Sequence, residues 1–113
     1  MNEPGGEQLA AISNAIVRIL SESYGRGPTK AKTYAFDRYL FTVLEGILTT
    51  VERTLVDTGH EDLVRTVRLS FQETIAGDIK REVEQITGRT VLAYHSQVTF
   101  HPPMGFEIFV LEE

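Results

Sequence analysis

The spacing of hydrophobic residues predicts two long amphipathic helices. Over residues 7–23 and again over residues 61–86, large apolar side chains recur three and four positions apart, which aligns them on one face of a helix. Gly25 and Gly88 follow these segments and suit the left-handed conformation that ends many helices. Phe71 lies in the middle of the longer stripe, so we expect its ring in the core. The stripe residues are Leu9, Ile12, Ile16, Ile19 and Leu20 in the first helix, and Val64, Val67, Phe71, Ile75, Ile79, Val83 and Ile86 in the second.

Two pairs of β-rich runs follow the predicted long helices. Residues 30–36 and 39–44 flank an Asp-Arg turn, and residues 91–100 and 106–111 flank a turn that is rich in proline. Runs of this composition with a short polar connection are typical of antiparallel hairpins. The sequence therefore predicts two hairpins, one after each long helix.

A short helix is predicted between the hairpins, because Thr49 and Glu52 have the spacing of a capping box, and it should end near Val56. The chain then has the order α-β-β-α-α-β-β. This order predicts an α+β fold of two helix-hairpin units, with a mainly antiparallel four-stranded sheet and the helices on one face. A Gly-Arg pair precedes each hairpin. The similarity indicates either an internal duplication or only the need for a glycine at both helix ends.

Length and composition indicate one globular domain. Of the 113 residues, 42% are hydrophobic and 24% are charged, which is ordinary for a folded protein. We expect residues 1–6 to be a flexible N-terminus and residues 7–113 to form a single α+β domain. We expect no secretion signal, because the first residues are polar and lack the basic and apolar regions of one. No stretch is near the ~20 apolar residues that span a bilayer, so we expect no direct membrane insertion.

The net charge and the absence of cysteine indicate which partners and which compartment to expect. The net charge of −5 works against non-specific binding to nucleic acid, so no nucleic-acid partner is expected. The chain has no cysteine, which excludes disulfides and thiolate chemistry and fits a cytoplasmic protein.

Both faces of the predicted sheet are apolar, because hydrophobic residues occupy both alternating sets of positions in the second and fourth strands. Two long helices can cover only one face. We therefore expect the other face to be buried against a second copy of the chain in a homodimer. The alternative is a monomer in which the short helix covers that face. The expected interface residues are Leu40, Leu44, Tyr94, Val98 and Phe109.

The loop after the first helix concentrates positive charge on an acidic chain. Gly25, Arg26, Gly27, Lys30 and Lys32 combine a backbone that a ligand can approach closely with three cations, which is typical of an anion site. The spacing of a P-loop is missing, however, and the segment leads into a strand rather than into a helix. The other interpretation is a helix C-cap followed by a stiff proline turn.

The spacing of the histidines favours neither a metal site nor a catalytic pair. His95 and His101 would share a strand face, but no helix carries histidines or acids at metal-ligand spacing, so no metal and no cofactor is expected. Ser96 follows His95 directly and therefore points to the opposite side of the strand, which excludes a serine–histidine pair. No catalytic residue is assigned, and an enzyme that uses His95 or His101 is the third of three hypotheses.

Several short motifs, in their order and spacing, carry a resemblance to a known family. They are Gly25-Arg26-Gly27-Pro28 after a helix, Leu48-Thr49 with Glu52 and Leu55, Leu63-Val64 followed by Arg68 and Phe71, Ile86-Thr87-Gly88-Arg89-Thr90-Val91, Ser96, and Glu107-Ile108-Phe109-Val110-Leu111. Over residues 7–111 the chain resembles the small bacterial family named for MpsC, a component of a Na+-translocating, membrane-potential-generating system. Members of that family often have an aspartate after the serine and an acidic turn in the last hairpin. This chain has Gln97 and the turn His101-Pro102-Pro103-Met104 instead, so a ligand site that used those acids would be missing.

The leading hypothesis is a non-catalytic accessory or interaction domain that acts as a homo-oligomer. The resemblance implies a peripheral role at a Na+-translocating membrane system, through a protein partner. The alternative hypothesis is a sensor of a small anion or a phosphorylated metabolite, which would bind at the loop from Gly25 to Lys32.

Overall fold

The computed structural model describes residues 3–113 and contains a four-stranded antiparallel sheet. The helices are α1 (Gly6–Tyr24), α2 (Thr50–Asp57) and α3 (Glu61–Thr87), and the strands are β1 (Lys30–Phe36), β2 (Tyr39–Glu45), β3 (Val91–Phe100) and β4 (Pro103–Leu111). The strand order is β1-β2-β4-β3, so the two hairpins meet along β2 and β4. The predicted α+β class and the order α-β-β-α-α-β-β are confirmed.

The described part of the N-terminus contacts the first hairpin. Met1 and Asn2 lie outside the described residues, so the expected flexibility of residues 1–6 can be compared only from Glu3 onward. The Oε2 atom of Glu3 accepts a hydrogen bond of 2.6 Å from the backbone amide of Asp37 in the β1–β2 turn. The helix α1 begins at Gly6, one residue earlier than the apolar stripe predicts.

The second hairpin is tighter than its proline content suggests. β4 begins at Pro103 rather than at residue 106, and Pro103 pairs with Phe100 across a turn of two residues. β2 ends at Glu45, which pairs with Met104, so Pro103 extends past the end of the neighbouring strand. A proline is tolerated there because its missing N–H would have no acceptor on that side.

The core lies between the sheet and the two long helices. α1 and α3 pack on the same face of the sheet and against each other. Removing the apolar side chains between the helices and the sheet from water is the main driving force for the fold. The apolar side chains with at most 1% exposure are Ile12 and Ile16 from α1, Val64, Ile79 and Val83 from α3, and Leu40, Phe109 and Leu111 from the sheet.

The inward line of α3 is more polar than its sequence predicts. Val67 and Phe71 are 41% and 38% exposed, so the expectation that Phe71 lies in the core is wrong. Arg68 is buried in their place, and Gln72 lines a cavity. The ring of Phe71 packs on the outer side of Tyr24, with 4.8 Å between centroids. The periodicity fails here because an ion pair and a cavity, rather than aliphatic packing, lie under this part of the helix.

No helix covers the other face of the sheet within residues 3–113, and we call it the open face. α2 packs against α3, so it does not cover this face as the monomer alternative required. Five large apolar side chains stand on the open face at 41–73% exposure: Tyr34, Phe36, Tyr39, Phe41 and Ile108.

The expected interface residues lie on the wrong side of the sheet for a dimer contact. Leu40, Leu44 and Phe109 are 0%, 3% and 0% exposed under the helices. Tyr94 and Val98 share that side and are half-buried. Alternation reveals which residues share a face, but it cannot reveal which face the helices cover when both faces are apolar.

Truncation of Ile79 should destabilise the fold far more than truncation of Phe71. Ile79 is 0% exposed, so Ile79→Ala removes buried methyl groups and leaves a cavity, which should lower the free energy of unfolding by about 2–5 kcal/mol. Phe71→Ala should cost less, because water already reaches the ring. Urea denaturation of both variants checks this order, and an equal or larger loss for Phe71→Ala would contradict the burial described above.

Candidate functional site

A row of polar side chains crosses the helix-facing side of the sheet. Thr33 pairs with Thr42, Thr42 with Glu107, and Glu107 with Ser96, so one residue from each strand lies in the same register. Apolar or small residues occupy the neighbouring rows on this side, among them Leu40 with Phe109 and Leu44 with Gly105. Buried polar groups cost stability unless they are hydrogen-bonded, so the partners of this polar row decide what it does.

The β1–β2 half of the polar row is satisfied within the chain. The hydroxyl of Ser13, on α1, lies 2.7 Å from that of Thr33, which in turn lies 2.8 Å from that of Thr42. All three side chains are buried. This half is therefore a closed set of hydroxyl–hydroxyl bonds.

The β3–β4 half is different. Glu107 is 3% exposed, and neither its Oε2 atom nor the hydroxyl of Tyr94 has a hydrogen-bond partner among residues 3–113. The Tyr94 ring is fixed by stacking on Phe109, with 4.9 Å between centroids and 6° between planes. Both atoms are therefore buried without a hydrogen-bond partner.

A cavity of about 360 Å³ opens beside these two groups, between α3 and the β3–β4 half of the sheet. The side of α3 presents Arg65, Arg68, Leu69, Gln72 and Ile75, and the end of the cavity is formed by Leu20, Tyr24 and Ile47. The floor is formed by Leu44, Ser96, Val98, Gly105 and Glu107. The volume is within the range of about 300–1,000 Å³ that small-molecule sites have.

Burial changes the acidity of the groups beside the cavity. Burial raises the pKa of Glu107 to about 7, while the side chains of Ser96 and Tyr94 and the charge of Arg68 act in the opposite direction. Burial, together with the charge of Glu107, also raises the pKa of Tyr94. A carboxyl group that titrates near neutral pH in a concave site is a frequent mark of a functional residue.

A buried ion pair forms one wall of the cavity. Arg68 donates from Nε to Oε2 of Glu52 and from Nη2 to Oε1, both at 2.7 Å, and its Nη2 also donates to the carbonyl of Ile47 at 2.7 Å. Glu52 also accepts from the amide of Thr49 at 2.9 Å and completes the predicted capping box. Burial acts to raise the pKa of Glu52, but the hydrogen bonds from Arg68 and Thr49 outweigh it and lower this pKa.

The glycines of the proposed anion loop have structural partners. Gly25 ends α1 with φ of 78°, as a helix C-cap requires. A Cβ atom on Gly27 would come within 2.1 Å of the Ser21 hydroxyl oxygen, so this position needs a glycine to pass close to α1.

The three cations of that loop contact different groups. Arg26 donates to the carbonyl of Leu48, Lys30 lies 3.6 Å from a carboxylate oxygen of Glu45, and Lys32 lies over the ring of Tyr34. Lys30 and Lys32 extend along the open face, whereas Arg26 reaches the segment before α2. Anion binding at this loop stays a prediction, without a cluster of cations to favour it.

The two histidines are not brought together. His95 stands on the open face, with its Nε2 atom 3.4 Å from the side-chain oxygen of Gln97, whereas His101 pairs with Glu61 at 2.8 Å. Within residues 3–113, no group of three or more histidine, cysteine or acidic side chains is arranged to hold a metal ion.

Sequence reasoning missed the role of Glu107. In the sequence it stands out only as the first residue of the run Glu107-Ile108-Phe109-Val110-Leu111. The missing signal was its spacing of two from Phe109 and of four from Leu111, which places it on the same strand face as these two fully buried residues. The burial of Arg68 was missed because the apolar stripe of α3 predicts Val67 and Phe71 on the buried side and leaves Arg68 out.

The free energy of unfolding should fall as pH rises from about 5 to about 8. Between the ordinary carboxyl pKa of 4.5 and the raised pKa of about 7, the folded chain holds a proton on Glu107 that the unfolded chain has released, so stability is full below this window and is lost as pH rises through it. The loss is of the order of 3 kcal/mol. Urea denaturation across this range checks it, with Glu107→Gln as the control, whose curve should lack this slope.

Removal of Glu52 should be costly, because it leaves the Arg68 charge buried without a partner. We expect Glu52→Gln to lower the free energy of unfolding by about 3–5 kcal/mol. Asp78→Asn is the matched control, since it breaks the exposed 2.8 Å pair with Arg81 and should cost at most about 1 kcal/mol. Equal losses in the two variants, measured by urea denaturation, would refute the structural role of the buried pair.

Comparison with known proteins gives one clear match. Residues 5–113 match a family described as "Na+-translocating membrane potential-generating system (MpsC)". No curated protein and no solved structure is similar enough to count as a match. None of the helices within residues 3–113 is long and apolar enough to cross a membrane. Since the family match covers essentially the whole chain, this protein belongs to the MpsC family.

Proposed function

We propose that this chain is a non-catalytic interaction component of a Na+-translocating membrane system, and that it acts as a cytoplasmic homodimer joined through the open face. The family description supports the link to such a system. The absence of cysteine fits the reducing compartment. The single observation that carries the dimer is the open face itself, with its exposed aromatic and aliphatic side chains.

The apolar part of the open face is continuous. Tyr34, Phe41, Ile108 and His95 form one cross-strand row, and Phe36, Tyr39, Val110 and Ala93 form the next. These two rows contain no lysine, arginine or acid. Such a patch is larger than the scattered apolar residues that a soluble monomer ordinarily exposes, and it is a frequent mark of an interface.

The size of the open face suits a pair of sheets. Four strands about 4.8 Å apart and seven residues of about 3.3 Å each give a flat area of roughly 440 Å² per copy. The accessible area of protruding side chains exceeds the flat area. Two copies together present roughly 880 Å² of flat area, close to the ~1,000 Å² that a specific interface needs.

Charge favours self-association through this face over other surfaces. The whole chain carries a net charge of −5, which makes two copies repel. The open face carries Lys30 and Lys32 against Glu45, a net charge of +1. Two copies that meet through the open face therefore keep the acidic surfaces of the two chains apart.

Catalysis is not part of the proposal, because the residues of the enzyme hypothesis do not converge. His95 stands on the open face, and His101 pairs with Glu61 near the start of α3. Sensing of a small ligand is a second candidate function. The cavity beside Glu107 favours it, whereas the loop from Gly25 to Lys32 does not.

Light scattering after size-exclusion chromatography tests the dimer, which should have twice the chain mass of 12.7 kDa. Ile108→Glu places a charge at the centre of the open face and should shift the protein to monomer, because an unpaired charge is costly in a dry interface. Val67→Glu is the matched control, since Val67 is 41% exposed on α3 and Ile108 is 43% exposed on β4.

A monomeric wild-type protein at micromolar concentration would contradict the proposed dimer. A dimer that Val67→Glu splits and Ile108→Glu leaves intact would assign the interface to α3 instead. Circular dichroism of both variants checks that each remains folded.

A further inference from the structure

Glu107 brings a carboxylate oxygen without a partner to the cavity beside α3. Its Oε2 atom is buried and has no hydrogen-bond partner among residues 3–113, and Glu107 is one of the residues that line the cavity. Native interiors leave few such atoms unpaired. A buried, unpaired carboxylate oxygen at the wall of a cavity points to a partner that comes from outside the chain.

The charges around the cavity indicate the sign of that partner. Three charged side chains line it: Arg65, Arg68 and Glu107. Arg68 is neutralised by Glu52, and Arg65 lies 3.0 Å from Asp62. Ionised Glu107 therefore has no counter-ion of its own, and the group that complements it is a cation with N–H donors.

The walls of the cavity indicate the rest of the ligand. Most of the lining is aliphatic, from Leu20, Leu44, Ile47, Ile75 and Val98. Small-molecule sites typically combine such walls with a few convergent polar groups that fix orientation. Ser96 and Gln72 are the further polar side chains on this wall.

We propose that this cavity binds a small, largely apolar amine, whose ammonium group is held by the carboxylate of Glu107 and whose hydrocarbon part lies against the aliphatic wall. A hard metal ion fits less well, because it requires oxygen ligands at most of its coordination positions. The proposal does not depend on the dimer, since the cavity and the open face lie on opposite sides of the sheet.

Titration calorimetry with three probes that share a phenethyl group tests the charge preference at about pH 8, where Glu107 is ionised. Phenethylamine should bind, phenethyl alcohol should bind about 10- to 100-fold more weakly, and hydrocinnamate should not bind. Glu107→Gln should reduce the affinity for phenethylamine by the same factor and leave that for the alcohol unchanged.

Two further variants locate the site without touching Glu107. Val98 lines the cavity, so Val98→Phe should fill it and abolish binding of the amine and of the alcohol. Val67→Phe is the control, because Val67 lies on α3 outside the cavity lining and its replacement should leave both affinities unchanged. This pair keeps the test decisive if Glu107→Gln does not fold.

The pH dependence of binding provides an independent readout. The amine binds ionised Glu107, so its affinity should fall about tenfold for each pH unit below about 7. The titratable and charged groups that act on Glu107 or line the cavity with it are Tyr24 from α1, Arg65 and Arg68 from α3, and Tyr94 and His95 from β3. The pKa values of both tyrosines are raised from their ordinary value, so neither tyrosine titrates in this window.

Three results would overturn the proposal. The first is no binding of phenethylamine at millimolar concentration, and the second is equal binding of the amine and the alcohol. The third is a heat of binding with sodium chloride, absent with tetramethylammonium chloride and lost in Glu107→Gln, without any response to the amine. This last result would assign the cavity to a metal cation.

Discussion

The guanidinium group of Arg68 joins four segments of the chain. From α3 it bonds Glu52 at the start of α2 and the carbonyl of Ile47 before it, and it lies 4.3 Å from the ring centroid of Tyr24 at the end of α1. A buried ion pair is favourable only when all its partners are present. The position of α3 over the sheet, and therefore the width of the cavity, depends on this set being complete.

The polar row shows how one sheet serves two purposes. On the β1–β2 half, Ser13 from α1 closes a set of hydroxyl bonds, and the helix packs directly on the strands. On the β3–β4 half, the corresponding position holds Glu107, and α3 presents Gln72 and Arg68 above it rather than aliphatic side chains. The two helix-hairpin units thus share an architecture, but the polar row is closed by hydroxyl bonds in the first and borders the cavity in the second.

Secondary structure and topology followed from local rules, because periodicity, the capping box at Thr49 and the glycines at helix ends act over a few residues. The candidate site did not, since it depends on which face of each element is covered. Leu40 and Phe109 were expected outside, and Phe71 inside, because an alternating or helical pattern fixes only the relation between neighbours. Glu107 could not be recognised as a buried residue before it was known which alternating set of β4 residues faces the helices.

The two edges of the sheet are protected unequally. β1 carries Lys30 and Lys32, and lysine on an edge strand discourages pairing with another chain. β3 has ten residues without a lysine, arginine or acid, and its only irregularity is the register shift near Leu92. Strand addition, whether by an extended peptide or in aggregation, is therefore directed to β3. Because Ser96 and Val98 on β3 also form the floor of the cavity, a strand added at that edge would lie next to any molecule bound there.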